Sequence, residues 1–163
     1  MADEPKLDLK HFMPPGWQGK YPPCQIRMDT EGKLWGEGRP MIHPGIIELV
    51  HQSVHFEDGI YYLELDGKRC QLEVDDTFYV VTGVAPEDQG LAVSLNDGST
   101  ETLDPASLWV GDADVLYCQV KGGALPARFT RQAYYQVAQW IEEDGEGFAL
   151  VLGGRRYPLV VRA

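Results

Sequence analysis

The chain has 163 residues, of which 44% are hydrophobic, and a formal net charge of −11 at pH 7. This length suits one domain, or two small halves that share a core. The acidic balance argues against a broad footprint on nucleic-acid phosphates, and no apolar run is long enough to predict a membrane span. The three cysteines are too few, and odd in number, for a disulfide framework, so we expect free buried thiols.

The N-terminal region, residues 1–23, predicts an extended arm. Its stretch MPPGWQGKYPP holds two Pro-Pro pairs and therefore cannot be a helix. The first residues of the chain are charged and lack an apolar signal core, so we expect a cytoplasmic protein.

Residues 24–75 predict a first α+β unit. Residues 24–28 alternate in polarity as a strand does, and a helix is expected from near Pro44 to the Asp58-Gly59 signal. A strand at 60–65, an Asp66-Gly67 hairpin turn and a return strand at 69–74 then complete the unit.

The middle segment, residues 76–112, predicts an acidic, β-rich connection. Strands are expected at 78–84 and 91–95, with a loop at 85–90 between them. Between Cys70 and Val120 the chain has ten acidic residues and no lysine or arginine. Such a segment is either a solubilising face or a surface that recruits or excludes partners.

Residues 113–163 predict a second α+β unit. Strands are expected at 115–120 and 125–129, and Thr130 is a plausible N-cap for the second helix. The apolar stripe of that helix is expected to reach Ile141. A closing hairpin at 147–152 and 156–161 turns at two glycines.

The two predicted units are similar in sequence. Residues 43–74 align without a gap to residues 130–161, which lie 87 positions later, and eight of the 32 aligned positions are identical. The identical pairs are Val50/Val137, Gln52/Gln139, Leu63/Leu150, Leu65/Leu152, Gly67/Gly154, Arg69/Arg156, Leu72/Leu159 and Val74/Val161. Such a repeat indicates a duplicated supersecondary unit. We therefore expect an α+β fold of two similar strand–helix–β-hairpin units that share a core, with the β-rich insert between them.

Four short motifs add to this pattern: GRPMI at 38–42, DGIYYL at 58–63, EVDD at 73–76 followed by Phe78, and ARFTRQAYY at 127–135. Together they resemble a bacterial family known as domain of unknown function 1285, in patches over residues 24–160. The resemblance implies a duplicated α+β core whose C-terminal half is like a pleckstrin-homology fold. It also implies a ligand site between the two halves and a role in signalling.

Four arginines are the candidate ligand contacts. Arg128 and Arg131 flank the start of the second helix, where unpaired N–H groups and the helix dipole favour anions. Arg69 and Arg156 occupy equivalent places in the two hairpins. Arginine suits bidentate contact with phosphate or carboxylate. The alternative is that these side chains protect strand edges and pair with the many acids.

The sequence favours a non-enzymatic ligand-binding or regulatory protein, without cofactor or metal. Its expected partner is a small anion, nucleotide-like by the family resemblance, held between the two units; a homo-oligomer is a further expected partner. An alternative is a protein–protein interaction module that uses residues 1–23 and the acidic segment 76–112. A metal-dependent enzyme is the third alternative, because His51 and His55 lie four apart on the predicted first helix and could share an ion.

Overall fold

The computed structural model describes residues 13–162, which form two compact units. The first unit comprises residues 13–29 and Lys33–Asp76, and the second comprises Thr30–Gly32 with the described residues from Thr77 onward. These residues contain two short α-helices and three sheets of six, seven and three strands. The predicted α+β class is therefore confirmed. The first half of the predicted arm, residues 1–12, lies outside the described residues.

The first unit is built on the six-stranded sheet. Its elements are β1 Pro23–Met28, β2 Leu34–Gly36, β3 Arg39–Pro40, α1 Pro44–Ser53, β4 Val54–Glu57, β5 Ile60–Leu65 and β6 Lys68–Val74. The strand order is β3-β2-β1-β6-β5-β4. β1 and β6 run parallel, whereas the other neighbouring pairs are antiparallel. A parallel pair needs a long crossover connection, which here consists of the four intervening strands and α1.

Helix α1 begins as predicted but ends earlier. The His43 ring nitrogen Nδ1 accepts hydrogen bonds from the backbone N–H groups of Gly45 and Ile46, at 3.1 and 3.3 Å. The helix stops at Ser53, and residues 54–57 form β4 instead. The cause is the turn that follows: Asp58 and Gly59 have φ of 54° and 77°, which suits a two-residue hairpin that draws the preceding residues into a strand.

Two of the three cysteines form a disulfide. Cys24 on β1 is bonded to Cys70 on β6, 46 residues later, with 4.9 Å between their Cα atoms. The prediction of free thiols is therefore wrong for this pair, because the parallel strand pairing brings the two residues side by side. Cys118 is free and buried as expected, and burial raises the pKa of its thiol to about 12.

The second unit contains the other two sheets. Its elements are β7 Tyr79–Glu87, β8 Gly90–Leu95, β9 Thr100–Thr102, β10 Trp109–Val110, β11 Leu116–Val120, β12 Leu125–Phe129, α2 Arg131–Ala138, β13 Ile141–Asp144, β14 Gly147–Leu152, β15 Arg155–Pro158 and β16 Val160–Val161. The seven-stranded order is β16-β10-β11-β12-β7-β8-β9, and the small sheet is β13-β14-β15. Short 3₁₀ turns occur at Pro105–Ser107 and Asp112–Asp114.

Three predictions for this unit need correction. The expected loop at 85–90 is a tight hairpin, because β7 continues to Glu87 and β8 begins at Gly90. Helix α2 ends at Ala138, and Ile141 begins β13. The return strand expected at 156–161 is divided between β15 and β16.

Part of the strand pairing is common to the two units. β10 pairs antiparallel with β11 and β11 with β12, as β1 does with β2 and β2 with β3. β16 lies parallel to β10, as β6 lies parallel to β1. One difference is that the last strand is interrupted at Leu159. β15 therefore pairs with β14 and β16 with β10, so the sheet is divided in two.

A partly buried ion pair connects the β8–β9 turn to the end of β11. Lys121 Nζ lies 2.7 Å from Asp97 Oδ2, and the backbone N–H and hydroxyl of Ser99 donate to Asp97 Oδ1 at 2.9 and 2.5 Å. Burial alone would raise the pKa of Asp97, but the hydrogen bonds from Lys121 and Ser99 outweigh it and hold that pKa below its ordinary value of 3.8. A carboxylate with a lowered pKa stabilises the fold above the ordinary pKa and loses this contribution as the pH falls through the folded-state pKa.

We predict that Asp97→Asn lowers the free energy of unfolding by about 1 to 3 kcal/mol at pH 7, because Lys121 loses its charged partner. The difference from wild type should shrink as the pH falls below the ordinary carboxyl pKa of about 4 and through the lowered folded-state pKa of Asp97. Thermal unfolding between pH 7 and pH 2 measures both effects, with the exposed Asp88→Asn as control. A destabilisation that is constant between pH 7 and pH 2 would contradict a stabilising charge pair between Asp97 and Lys121.

We predict that the double variant Cys24→Ser, Cys70→Ser loses about 4 kcal/mol of unfolding free energy, the chain-entropy value for a loop of this length. Urea unfolding measures the loss. Thiol titration of the unfolded, unreduced wild-type protein should detect a single thiol. The same titration of the control variant Cys118→Ala should detect none. Three titratable thiols without reductant, or equal stability of the double variant, would refute the disulfide.

Candidate functional site

Two of the four predicted arginines line one cleft. Arg128 lies near the end of β12 and Arg131 is the first residue of α2, and both border a cleft of about 430 Å³ together with Tyr134 and Tyr135. The Thr130 hydroxyl between strand and helix accepts a hydrogen bond from the Ala133 N–H at 3.2 Å, so it is the N-cap that the sequence predicts. This sharp strand-to-helix junction brings the two arginines together. We refer to this cavity, which also includes the turn 113–115, as the arginine cleft.

The opposite wall of the arginine cleft has an unusual backbone. Ala113 and Asp114 are consecutive residues with φ of 56° and 59°, a conformation that costs an L-residue roughly 1–2 kcal/mol. Strained backbone of this kind clusters at functional sites. The Asp114 side chain is exposed and adds one negative charge to a cleft that has two positive ones.

The strand that carries Arg128 lies beside a row of ring and guanidinium groups. The cross-strand neighbour of Arg128 is Tyr117, whose ring stacks on Trp109 at a centroid distance of 5.2 Å, and the Arg162 guanidinium lies 4.7 Å from the Trp109 ring. Gly111 permits this packing, since a Cβ atom there would lie 2.7 Å from the Tyr117 ring. The Arg128 N–H also donates to the Thr77 hydroxyl at 3.1 Å, so its backbone position is well determined.

A second cavity adjoins the arginine cleft. This apolar groove has a volume of about 470 Å³. Its lining comes from α2, the seven-stranded sheet and the three-stranded sheet, namely Val110, Asp114, Leu116, Tyr134, Ala138, Ile141, Glu143, Phe148 and Leu159. Asp114, Leu116 and Tyr134 line both cavities, so the two are immediate neighbours.

The other two predicted arginines are engaged by side chains of their own units. Arg69 Nη1 donates to the Tyr21 hydroxyl at 3.0 Å, and its Nε lies 3.4 Å from Glu64. The hydrogen bond with Tyr21, followed by the charge of Glu64, raises the Arg69 pKa. Arg156 Nη1 lies 3.2 Å from Glu142. A ligand at either arginine would therefore compete with an existing carboxylate.

The two histidines of the metal-enzyme alternative do not share a helix. His51 is on α1, but His55 is on β4, where its ring stacks on Tyr62 at 5.2 Å and its Nε2 lies 4.0 Å from Glu64. The expected four-residue helical spacing is therefore wrong, for the same reason that α1 ends early. Within residues 13–162, no three His, Cys, Asp or Glu side chains are grouped so as to hold a metal ion.

A larger cleft of the second unit is less suited to an anion. It has a volume of about 710 Å³ and lies between the β7–β8 and β14–β15 hairpins. Arg155 borders it together with the carboxylates of Glu87 and Asp88, so acids outnumber bases there. The arginine cleft has the opposite balance, which is why we favour it although it is smaller.

Sequence reasoning missed part of the site. The apolar stripe that the sequence predicts for α2 starts at Tyr134, but the Tyr134 side chain is 41% exposed. Tyr135 and Asp114 were not candidates at all. The adjacent pair Tyr134-Tyr135 after a predicted N-cap was the available signal, because consecutive helix residues lie about 100° apart and two bulky rings cannot both point to the centre of the buried face.

Both described helices are much shorter than the roughly 20 apolar residues that a membrane-spanning helix needs.

No protein-family model matches the sequence, and no curated protein is significantly similar to it. Two solved structures are similar. A DUF1285 family protein from Silicibacter pomeroyi has 21% sequence identity and a TM-score of 0.69, covering 83% of this chain and 79% of its own. A DUF1285 family protein from Shewanella baltica has 19% identity and a TM-score of 0.59, covering 70% of this chain and 90% of its own. The resemblance predicted from the sequence is thus confirmed: the chain has the fold of DUF1285 family proteins.

Proposed function

We propose that this protein is a non-enzymatic ligand-binding protein whose ligand presents an anionic group to the arginine cleft. The observation that carries the proposal is the convergence of Arg128 and Arg131 on one cavity at the N-terminus of α2. Arg131 is exposed, so its guanidinium can meet an anion without breaking a core contact. The first N–H groups of the helix and its dipole add to the attraction.

The cleft geometry supports binding rather than catalysis. The charged side chains that line it are two arginines and one exposed carboxylate, Asp114, so it has no pair of carboxyl groups that could act as general acid and base. The one free cysteine of the described residues, Cys118, is buried with a pKa near 12, so it is protonated and unreactive at neutral pH.

We also propose that the two units derive from a duplicated element. The supporting observations are the common pairing pattern and the constant separation of 87 residues between the helix starts at Pro44 and Arg131 and the strand starts at Ile60 and Gly147. The pleckstrin-homology-like character of the C-terminal half and the signalling role stay predictions. The homo-oligomer, the position of the ligand between the units and the protein–protein interaction module also stay predictions. Arg69 and Arg156 stay predicted contacts of second rank.

A cytoplasmic location also stays a prediction, and the Cys24–Cys70 bond bears on it. Disulfides persist in oxidising compartments and are rare in the cytosol, where they are usually transient or redox-sensing. The thiol titration described above, applied to protein trapped by alkylation at the moment of lysis, would separate a resident disulfide from one formed after lysis.

We predict that Arg131→Glu weakens the binding of inorganic phosphate or adenosine monophosphate by tenfold or more, because a charge-assisted hydrogen bond contributes about 1.5–3 kcal/mol. Calorimetric titration at low ionic strength measures the affinity, and binding should weaken with added salt. The control is Arg39→Glu, which reverses an equally exposed arginine on β3. Equal affinity of wild type and Arg131→Glu, or the same loss in the control, would refute the site.

A further inference from the structure

The apolar groove lies where the sheet of the second unit is divided. In the first unit, β6 pairs with β5 on one side and β1 on the other, so the sheet is continuous. In the second unit, the chain leaves β14 at Pro158 and joins β10 at Val160. The groove is lined by both sheets, by α2, and by Leu159 at the point of division.

Side-chain replacements keep this groove open. The aligned residues of the first unit are His51 for Ala138, Phe56 for Glu143 and Tyr61 for Phe148. In the first unit the Phe56 and Tyr61 rings are in contact, with centroids 4.4 Å apart, and Tyr61 is only 8% exposed. Phe148 is 53% exposed instead, since its aligned ring partner is replaced by a carboxylate.

Three exposed aromatic side chains line the groove or the adjoining arginine cleft. Tyr134, Tyr135 and Phe148 are exposed by 41, 66 and 53%, and Tyr134 and Phe148 line the groove itself. Contiguous exposed apolar surface marks a binding site more often than it marks inert surface. Cavities of this volume are in the range that small ligands occupy.

We propose that the apolar groove binds the hydrocarbon chain of the same ligand whose anionic group lies in the arginine cleft, so that the ligand is a single-chain anionic amphiphile such as an alkyl phosphate or a fatty acid. This inference rests on the proposed function and names its ligand class. Asp114, Leu116 and Tyr134 border both cavities, so a ligand whose head group lies in one has its chain directly beside the other. Charge sets its direction, because Arg128 and Arg131 attract the head group at one end and Glu143 repels it from the groove.

The test is calorimetric titration with n-alkyl phosphates from ethyl to octyl, each below its critical micelle concentration. Burial of each further methylene should tighten binding about fourfold until the groove is filled. Arg131→Glu should weaken every member of the series by a similar factor, since it removes only the head-group contact.

Ala138→His and Glu143→Phe refill the groove with side chains that the first unit carries at the aligned positions. Each substitution should weaken the binding of octyl phosphate by about tenfold or more and leave the affinity for ethyl phosphate unchanged. The matched control is Gln139→His, an exposed neighbour on the same turn. Glu143 is exposed, so Glu143→Phe keeps the test valid if Ala138→His fails to fold.

The outcomes separate the two proposals. If inorganic phosphate binds in an Arg131-dependent manner but chain length has no effect, the amphiphile is refuted and the anion site stands. If octanol binds as well as octyl phosphate and Arg131→Glu changes neither, the anion site is refuted and the amphiphile with it. Binding to anionic phospholipid vesicles without binding of monomeric octyl phosphate would also refute the amphiphile, in favour of a membrane surface.

Discussion

The first unit depends on one constraint, the parallel pairing of β6 with β1. The second unit depends in the same way on the parallel pairing of β16 with β10. Parallel neighbours cannot be joined by a tight turn, so a crossover must lie between them. The intervening strands and one short helix supply it in each unit. In the first unit the Cys24–Cys70 bond crosslinks this pair. In the second unit no such bond exists among the described residues, the returning strand is interrupted at Leu159, and the apolar groove lies where the sheet is divided.

Charge and apolar surface act together at the candidate site. The protein as a whole has a net charge of −11, so its long-range field repels anions and any anion must be held by short-range contacts. Arg128 and Arg131 provide such contacts, while Asp114 limits how much negative charge the cleft accepts. Burial of a hydrocarbon chain in the groove would supply free energy that is independent of this field and of salt. An amphiphile therefore fits the site better than a compact, highly charged anion.

Features set by neighbouring residues were predictable from the sequence. The Thr130 cap, the bounds of β12 and β14 and the Asp66-Gly67 turn all depend on a few adjacent side chains, and the structure shows them where the sequence placed them. Features that depend on distant pairing were not. Val54 and Ile141 continue the helical stripe but enter strands, because β-ladder formation after the turn overrides a weak helical preference. The Cys24–Cys70 bond and the division at Leu159 depend on partners that are far apart in the chain, which no local pattern encodes.

The most direct single measurement is a crystal structure of the protein with octyl phosphate. We predict that the phosphate lies within hydrogen-bonding distance of the Arg131 guanidinium and that the alkyl chain passes Tyr134 to reach Ala138 and Phe148. A phosphate bound elsewhere, or an alkyl chain that extends into solvent while the groove stays empty, would contradict the assignment of one ligand to both cavities.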